Sequence, residues 1–235
     1  MIQQVSTQLR SLAPDLWVAE RQFRNGPMGE LETRMTVIRL RDGSLFLHSV
    51  VALDPELRAQ LDRAGHVRSI VAPNKHHHLF AADYPTGYPD ARLYAAPGLP
   101  LKRPDLKFAQ ELGDEAPPEW RAEIEQHVFR GAPFLNEVVF FHAATRTLLL
   151  TDLAMNVAVG ETRGATRLFW RMVGAEGHFG PHRLIRWFFI RDRAAARASV
   201  ERILAWDFDR ITLTHGRVLE SGGREAFAKA YAFLG

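Results

Sequence analysis

Val71-Ala-Pro-Asn-Lys-His-His-His-Leu-Phe80 sets three consecutive histidines, His76, His77 and His78, directly behind the apolar run Ser69-Ile70-Val71-Ala72. An apolar run that ends in a polar cluster reads as a buried strand delivering side chains to its C-terminal edge, where open α/β sheets place their sites. Imidazole is the commonest metal ligand and titrates near neutral pH. The triplet therefore reads as half of a metal site, with the other half supplied from elsewhere in the chain. The plainer alternative is a histidine run at the exposed start of a helix.

Upstream, residues 16–23, 34–40 and 45–50 read as strands, with Asn25-Gly26-Pro27 as a turn and Arg41-Asp42-Gly43-Ser44 as a hairpin signal. The N-terminal part is expected to be antiparallel sheet. Asp54-Pro55-Glu56 opens a helix with an Asp cap, Pro at its first position and an acidic first turn. Leu57, Leu61 and Ala64 face inward and Gly65 ends it. Residues 66–72 form the strand that leads into the histidines.

Downstream, residues 79–84 predict a short helix stopped by Pro85-Thr86-Gly87, and 91–95 a strand. Residues 97–118 read as mostly irregular, and 120–128 fit a short helix or a strand. A second hairpin spans 137–142 and 147–152; its second strand is almost wholly apolar and ends at Asp152. Residues 166–190 are aromatic and basic. Asp192 caps a helix through Ala205, 209–215 form a strand ending in His215-Gly216, and 221–234 close the chain as a helix with Phe227, Tyr231 and Leu234 on one face. No repeat and no linker interrupts this order, so 1–235 is expected to be one domain.

Composition bounds the function. The chain of 235 residues is long enough for a sizeable core, and 46% hydrophobic against 24% charged content is that of a globular protein. Without cysteine there is no disulfide, no zinc-thiolate site and no Cys nucleophile, so a metal must be held by His, Asp, Glu or backbone. A net charge of +3 is too slight to argue for nucleic acid. The first ten residues hold no apolar core of signal-peptide length, and no run reaches the roughly 18–20 apolar residues that span a bilayer. A soluble cytoplasmic protein is the expectation.

Three buried-looking strands thus end in a ligand-type residue: the histidine cluster, Asp152 and His215. Singly each has a bland reading, since an Asp after a strand often caps a helix and a His before Gly often sits in a loop. Together they match what a metal site needs, ligands from several elements converging at one sheet edge.

This order of elements, with Pro73-Asn74-Lys75-His76-His77-His78-Leu79-Phe80, Asn136-Glu137 before a strand, Thr151-Asp152-Leu153 after one and a late Thr214-His215-Gly216, resembles the metallo-β-lactamase-like superfamily. More narrowly it resembles the DUF4336-like branch. The resemblance implies an α+β four-layer αββα sandwich with its site at one edge of two sheets. The superfamily cluster is His-x-His-x-Asp-His. Aligning its last His with His78 puts Pro73 and Lys75 at the first two His positions and His77 at the Asp. Ala132, Pro133 and Phe134 stand where a further His usually precedes the second hairpin. The ligands of the first metal position are therefore missing. The resemblance carries His78, Asp152 and His215 to the second, with His77 as a chemically suitable addition.

With these residues, the resemblance implies a mononuclear metal-dependent hydrolase directing a metal-bound hydroxide at an ester, lactone or thioester. Asp152 and Lys75 are its candidate catalytic groups, and His77, His78, Asp152 and His215 its candidate ligands. Zinc leads, iron or manganese also suit N and O donors, and no metal at all is the alternative. In that alternative the chain is a non-catalytic binding or interaction module. Lys75 and His76 would stabilise an oxyanion or bind an anionic group, although Lys75 equally fits a surface lysine. Asn136 and Glu137 would orient a ligand imidazole, or simply make strand-start hydrogen bonds. His178 and His182 are reserve ligands; His48, His66, His127 and His142 read as structural or solvent-facing. The aromatic-basic segment at 166–190 walls a pocket for a small-molecule substrate with an apolar part, or lies on an anionic membrane surface; no nucleic acid is expected.

Overall fold

The computed structural model describes residues 8–24 and 30–235, so the Asn25-Gly26-Pro27 turn and the first seven residues lie outside the described residues. Strands β1 (Arg10–Ala13), β2 (Leu16–Arg24), β3 (Glu30–Arg39) and β4 (Ser44–His48) pair antiparallel in sequence order. Helix α1 (Pro55–Ala64) then crosses over, and β5 (His66–Ala72), β6 (Arg92–Ala95) and β7 (Gln110–Glu111) extend the same sheet in parallel. The sheet is therefore mixed, because a helical crossover returns the chain in the same direction. Asp54 caps α1 by accepting from the Leu57 N–H at 2.7 Å.

Between these strands lie the short helices α2 (Tyr84–Gly87) and α3 (Leu99–Lys102). The first corrects the stop expected at Pro85: proline occupies the first turn, where a missing N–H costs nothing. The second sheet holds β8 (Ile124–Val128), β9 (Val138–His142) and β10 (Thr147–Leu149). The ribbon of β11 (Met155–Asn156) and β12 (Phe179–Gly180) brackets α4 (Gly164–Met172), and β13 (Arg210–Thr212) lies parallel to β10 at the edge. Residues 120–128 resolve into a turn followed by β8. Trp120 is fixed between the sheets, edge-on to Phe46 at 5.0 Å and to Tyr94 at 4.6 Å.

The sheets face each other. Leu16, Ile38, Phe46 and Val71 of the first pack on Val138, Phe140 and Leu149 of the second. On the outer side of the first sheet, Leu57 and Leu61 of α1 cover Leu47 and Ile70. On the outer side of the second, α5 (Arg193–Leu204) and α6 (Gly223–Tyr231) bring Val200, Ile203 and Phe227 against Phe141, Leu148 and Ile211. Burial of each such side chain stabilises by roughly 1.5–3 kcal/mol. Helix, sheet, sheet, helix is the αββα sandwich that the family resemblance implies. Residues 166–190 form α4 and a π-helical turn, Ile185–Phe189, with a non-helical stretch between. No helix among the described residues is long and apolar enough to cross a membrane.

Candidate metal centre

Three strands of the sandwich bring their C-terminal ends to one edge. β5 runs out at Ala72 into the histidines, β10 stops at Leu149 three residues before Asp152, and β13 stops at Thr212 three before His215. The backbone between strand and site residue is not left loose. Glu137, itself buried, accepts from the N–H groups of Thr151 at 2.7 Å, Asp152 at 2.8 Å and Leu153 at 3.2 Å. Glu137 thus holds the backbone of the Asp152 turn, in place of the ligand-orienting role expected of it. Burial, and next the Asp152 charge, pushes its carboxyl up to about 7. Asn136 sits in left-handed backbone and donates to the Pro97 carbonyl at 3.0 Å, away from the candidate ligands.

Asn74 organises the other arm. Its Oδ1 accepts from both the His76 and His77 N–H groups at 2.7 Å, an Asx turn that tightens the chain directly after β5. Its Nδ2 donates to Asp152 Oδ2 at 2.7 Å and Thr151 Oγ1 at 2.9 Å. This turn decides which histidine reaches the site. His77 Nε2 lies 3.1 Å from Asp152 Oδ1, and His215 Nε2 lies 3.7 Å from the same oxygen. His78 does not join them: its Nδ1 takes a hydrogen bond from Arg103 Nη1 at 2.9 Å, and burial followed by Lys102 and Arg103 lowers its pKa to about 4. Lys75 departs from its expected role as well. Its ammonium donates to the Pro133 carbonyl at 3.0 Å, and Lys102 lines the cavity where Lys75 does not.

One ligand-type atom from each of His77, Asp152 and His215 falls within 4.8 Å of the others. N and O ligands at about 2.0–2.2 Å from a tetrahedral ion lie roughly 3.3–3.6 Å apart, so the two separations from Asp152 Oδ1, 3.1 and 3.7 Å, are close to those a divalent cation needs. The outer nitrogens of both rings are engaged: His77 Nδ1 meets Ser49 Oγ at 3.1 Å, and His215 Nδ1 donates to the Glu32 carbonyl at 2.6 Å. That bond fixes the His215 tautomer with its Nε2 lone pair inward, as metal-ligating histidines require. Ser49 reaches His77 from left-handed backbone, φ 56°, a strained conformation held by its surroundings. Arg34, buried between Glu20 and Glu32, donates to the Leu213 carbonyl at 2.5 Å and so ties β3 to the segment after β13 that carries His215.

The electrostatics are those of a small closed charge system. Burial alone would raise Asp152, but the His77 ring beside it holds the carboxyl far below its usual range. Burial likewise opposes charge on His77, and the Asp152 carboxylate overrides it and raises the ring's pKa. Burial, and then the His77 charge, depresses His215 to about 4.

The three groups lie on the wall of a cavity of about 390 Å³. Phe169, Trp170, Leu184 and Phe189 from the aromatic-basic segment form its apolar side. His76, a candidate for binding an anionic group, lines it too. Its ring lies against Phe134 at 4.9 Å between centroids, and its Nε2 is buried without a partner. His182, a reserve ligand, also lines it with an unpartnered Nδ1, whereas His178 lies in neighbouring clefts. Asn74, Ser49, Glu32, Lys102 and Arg103 are the residues sequence reasoning did not assign. Only Asn74, a turn-forming residue between Pro73 and the histidines, carried a legible signal.

A family model described as a domain of unknown function (DUF4336) matches residues 16–163. No curated protein matches the chain in sequence. Among solved structures, the DIM-1 metallo-beta-lactamase superposes with a TM-score of 0.68 at 12% identity over 98% of each chain. A metallo-beta-lactamase from Hirschia baltica gives 0.66 at 13% over 97% of each. The FIM-1 metallo-beta-lactamase from Pseudomonas aeruginosa, in its mono-zinc form, gives 0.65 at 15% over 98% of this chain and 95% of that one. Identities this low speak to the fold alone.

Proposed function

We propose, from the premise that the chain belongs to the DUF4336 family and has the metallo-β-lactamase fold, that it is a mononuclear metal-dependent hydrolase of an ester, lactone or thioester with an apolar part. One observation carries this reading: Nε2 of His77, Oδ1 of Asp152 and Nε2 of His215 converge on the wall of an apolar cavity. A divalent ion held there would supply Lewis acidity to a carbonyl and acidify water. Zinc suits the donor set, as do iron and manganese. The remaining roles belong to the chain's own residues. Asp152 is aimed by Asn74 and Glu137, the two imidazoles present Nε2, and the aromatic wall shields the reacting bond from bulk water. Lys102 puts a positive charge at the rim.

A second reading has its own support. The Asp152 charge is already met by His77 and by the Asn74 amide, so the cluster is electrostatically balanced without an ion. In that case the cavity serves binding and not hydrolysis. Elemental analysis of protein purified without a chelating tag separates the two, followed by assay against aryl esters, lactones and acyl thioesters. One bound ion per chain, with turnover lost on chelation and restored by metal, supports the hydrolase. Absence of metal after incubation with zinc, iron(II) and manganese overturns it.

A further inference from the structure

We infer that the outer face of α4 and of the Ile185–Phe189 turn docks on an anionic phospholipid surface, with the cavity mouth beside it. From sequence, wall and membrane contact are rival roles for this segment; the structure gives it two faces. Its inner residues Trp170 and Val173 belong to one buried cluster against which Phe169 and Leu184 pack, and the Arg183 N–H donates to the Val173 carbonyl at 2.8 Å. The two elements are therefore joined through their inner sides. Leu168 and Met172, one turn apart on α4, are left 59% and 61% exposed, and Trp187 and Phe188 are 68% and 54% exposed.

These four are half of the eight large apolar side chains that are exposed among the described residues, and two more, Leu79 and Phe134, line the cavity. Singly exposed apolar residues need no explanation; six grouped on one segment and the rim of one cavity do. A bilayer accounts for them better than a protein partner because of the charge around them. Residues 163–193 hold seven arginines against Glu176 and Asp192, a surplus of five, while the whole chain has a surplus of three. The rest of the chain is thus net acidic by two. Glu176 takes up Arg167 and Arg171, and Arg163, Arg183, Arg186 and Arg191 have no acidic partner among the described residues. Tryptophan and phenylalanine flanked by arginines without acidic partners suit the headgroup region of an anionic leaflet, where the rings enter the acyl boundary and the guanidinium groups meet phosphate. The cavity wall made by Phe169, Leu184 and Phe189 would then continue an apolar path from the lipid. This docking depends on the outer face alone and holds whether or not the site carries metal.

Flotation of the full chain tests it, with vesicles of phosphatidylcholine alone and of equal parts phosphatidylcholine and phosphatidylglycerol. The protein should float with the anionic vesicles at low salt, stay behind with the neutral ones, and be released as salt rises. Trp187→Ser/Phe188→Ser and Arg163→Gln/Arg183→Gln should each lower the partition coefficient on the order of tenfold. Should either double variant melt early, brominated lipid keeps the test open: it should quench wild-type tryptophan fluorescence, and Trp187→Phe should remove most of that quenching. Failure to float with anionic vesicles overturns the inference, as does equal binding to neutral ones or quenching that survives Trp187→Phe. A wild-type dimer that Trp187→Ser/Phe188→Ser makes monomeric would also overturn it, because a second copy would then cover the face.

Discussion

The side-chain amide of Asn74 donates to Asp152 Oδ2 at 2.7 Å, across 78 positions of sequence, while its oxygen holds the His76 and His77 N–H groups. One buried side chain therefore aims both arms of the candidate centre. Asn74→Ala should lower metal affinity by about 10–100-fold. It should also destabilise the fold by roughly 1–3 kcal/mol through unmet buried N–H groups. Competition with a chromophoric chelator and urea unfolding measure the two effects.

His77 and His78 are neighbours with opposite assignments. His77→Ala should abolish stable metal retention, and His78→Ala, which frees Arg103, should leave stoichiometry unchanged. Retention by the first variant and loss by the second would reverse the assignment. Elemental analysis after extensive dialysis reads this directly.

Metal uptake must also depend on pH, because ions compete with protons for imidazole. His77 is the ring whose proton is held more tightly than usual, with Asp152 as the cause that overrides burial. Affinity should fall steadily as pH drops from 8 to 5, and each ion taken up near neutral pH should release protons. Calorimetric titration in buffers of different ionisation enthalpy counts them.

Stability should fall in acid for a separate reason. Burial, then the nearby His77 charge, lowers His48 from 6.5 to about 3, and its Nε2 has no partner. Below pH 6.5 the unfolded ring takes a proton that the folded one refuses, so this contribution is intact above 6.5 and drains away as pH falls toward 3. Between pH 7 and 4, His48→Leu should lose roughly 3 kcal/mol less stability than the parent. Urea unfolding at the two pH values shows whether the gap closes.

Gly216 follows His215 with φ +83°, and a Cβ there would lie 2.3 Å from the Asn156 carbonyl oxygen. Gly216→Ala should destabilise by a few kcal/mol and displace His215, weakening metal binding along with the fold. Melting with and without zinc should show a smaller ligand-induced shift than in the parent.

The strand-end positions of Asp152 and His215 were legible because each closes an apolar run, whereas the layer order came from the family resemblance and not from the elements alone. The choice between His77 and His78 was not. It depends on how tightly an Asx turn winds the chain, and the partner that sets Asn74 in place is distant in sequence. Lys75 misled for a related reason: a lysine beside histidines suggests charge at the site, yet the loop path carries it to the Pro133 carbonyl, and Lys102 from α3 lines the cavity instead. Residues 120–128 were ambiguous because Trp120 serves the space between the sheets and not either periodicity.

The bond from His215 Nδ1 to the Glu32 carbonyl joins residues 183 apart. Closing a loop of that size is among the slower steps open to a folding chain, and local contacts cannot substitute for it. The stretch matched by the family model, residues 16–163, contains His77 and Asp152 but not His215. A chain emerging from the ribosome would therefore carry two of the three groups long before the third. Occupancy of the finished cluster would report that the segment after β13 had met the first sheet.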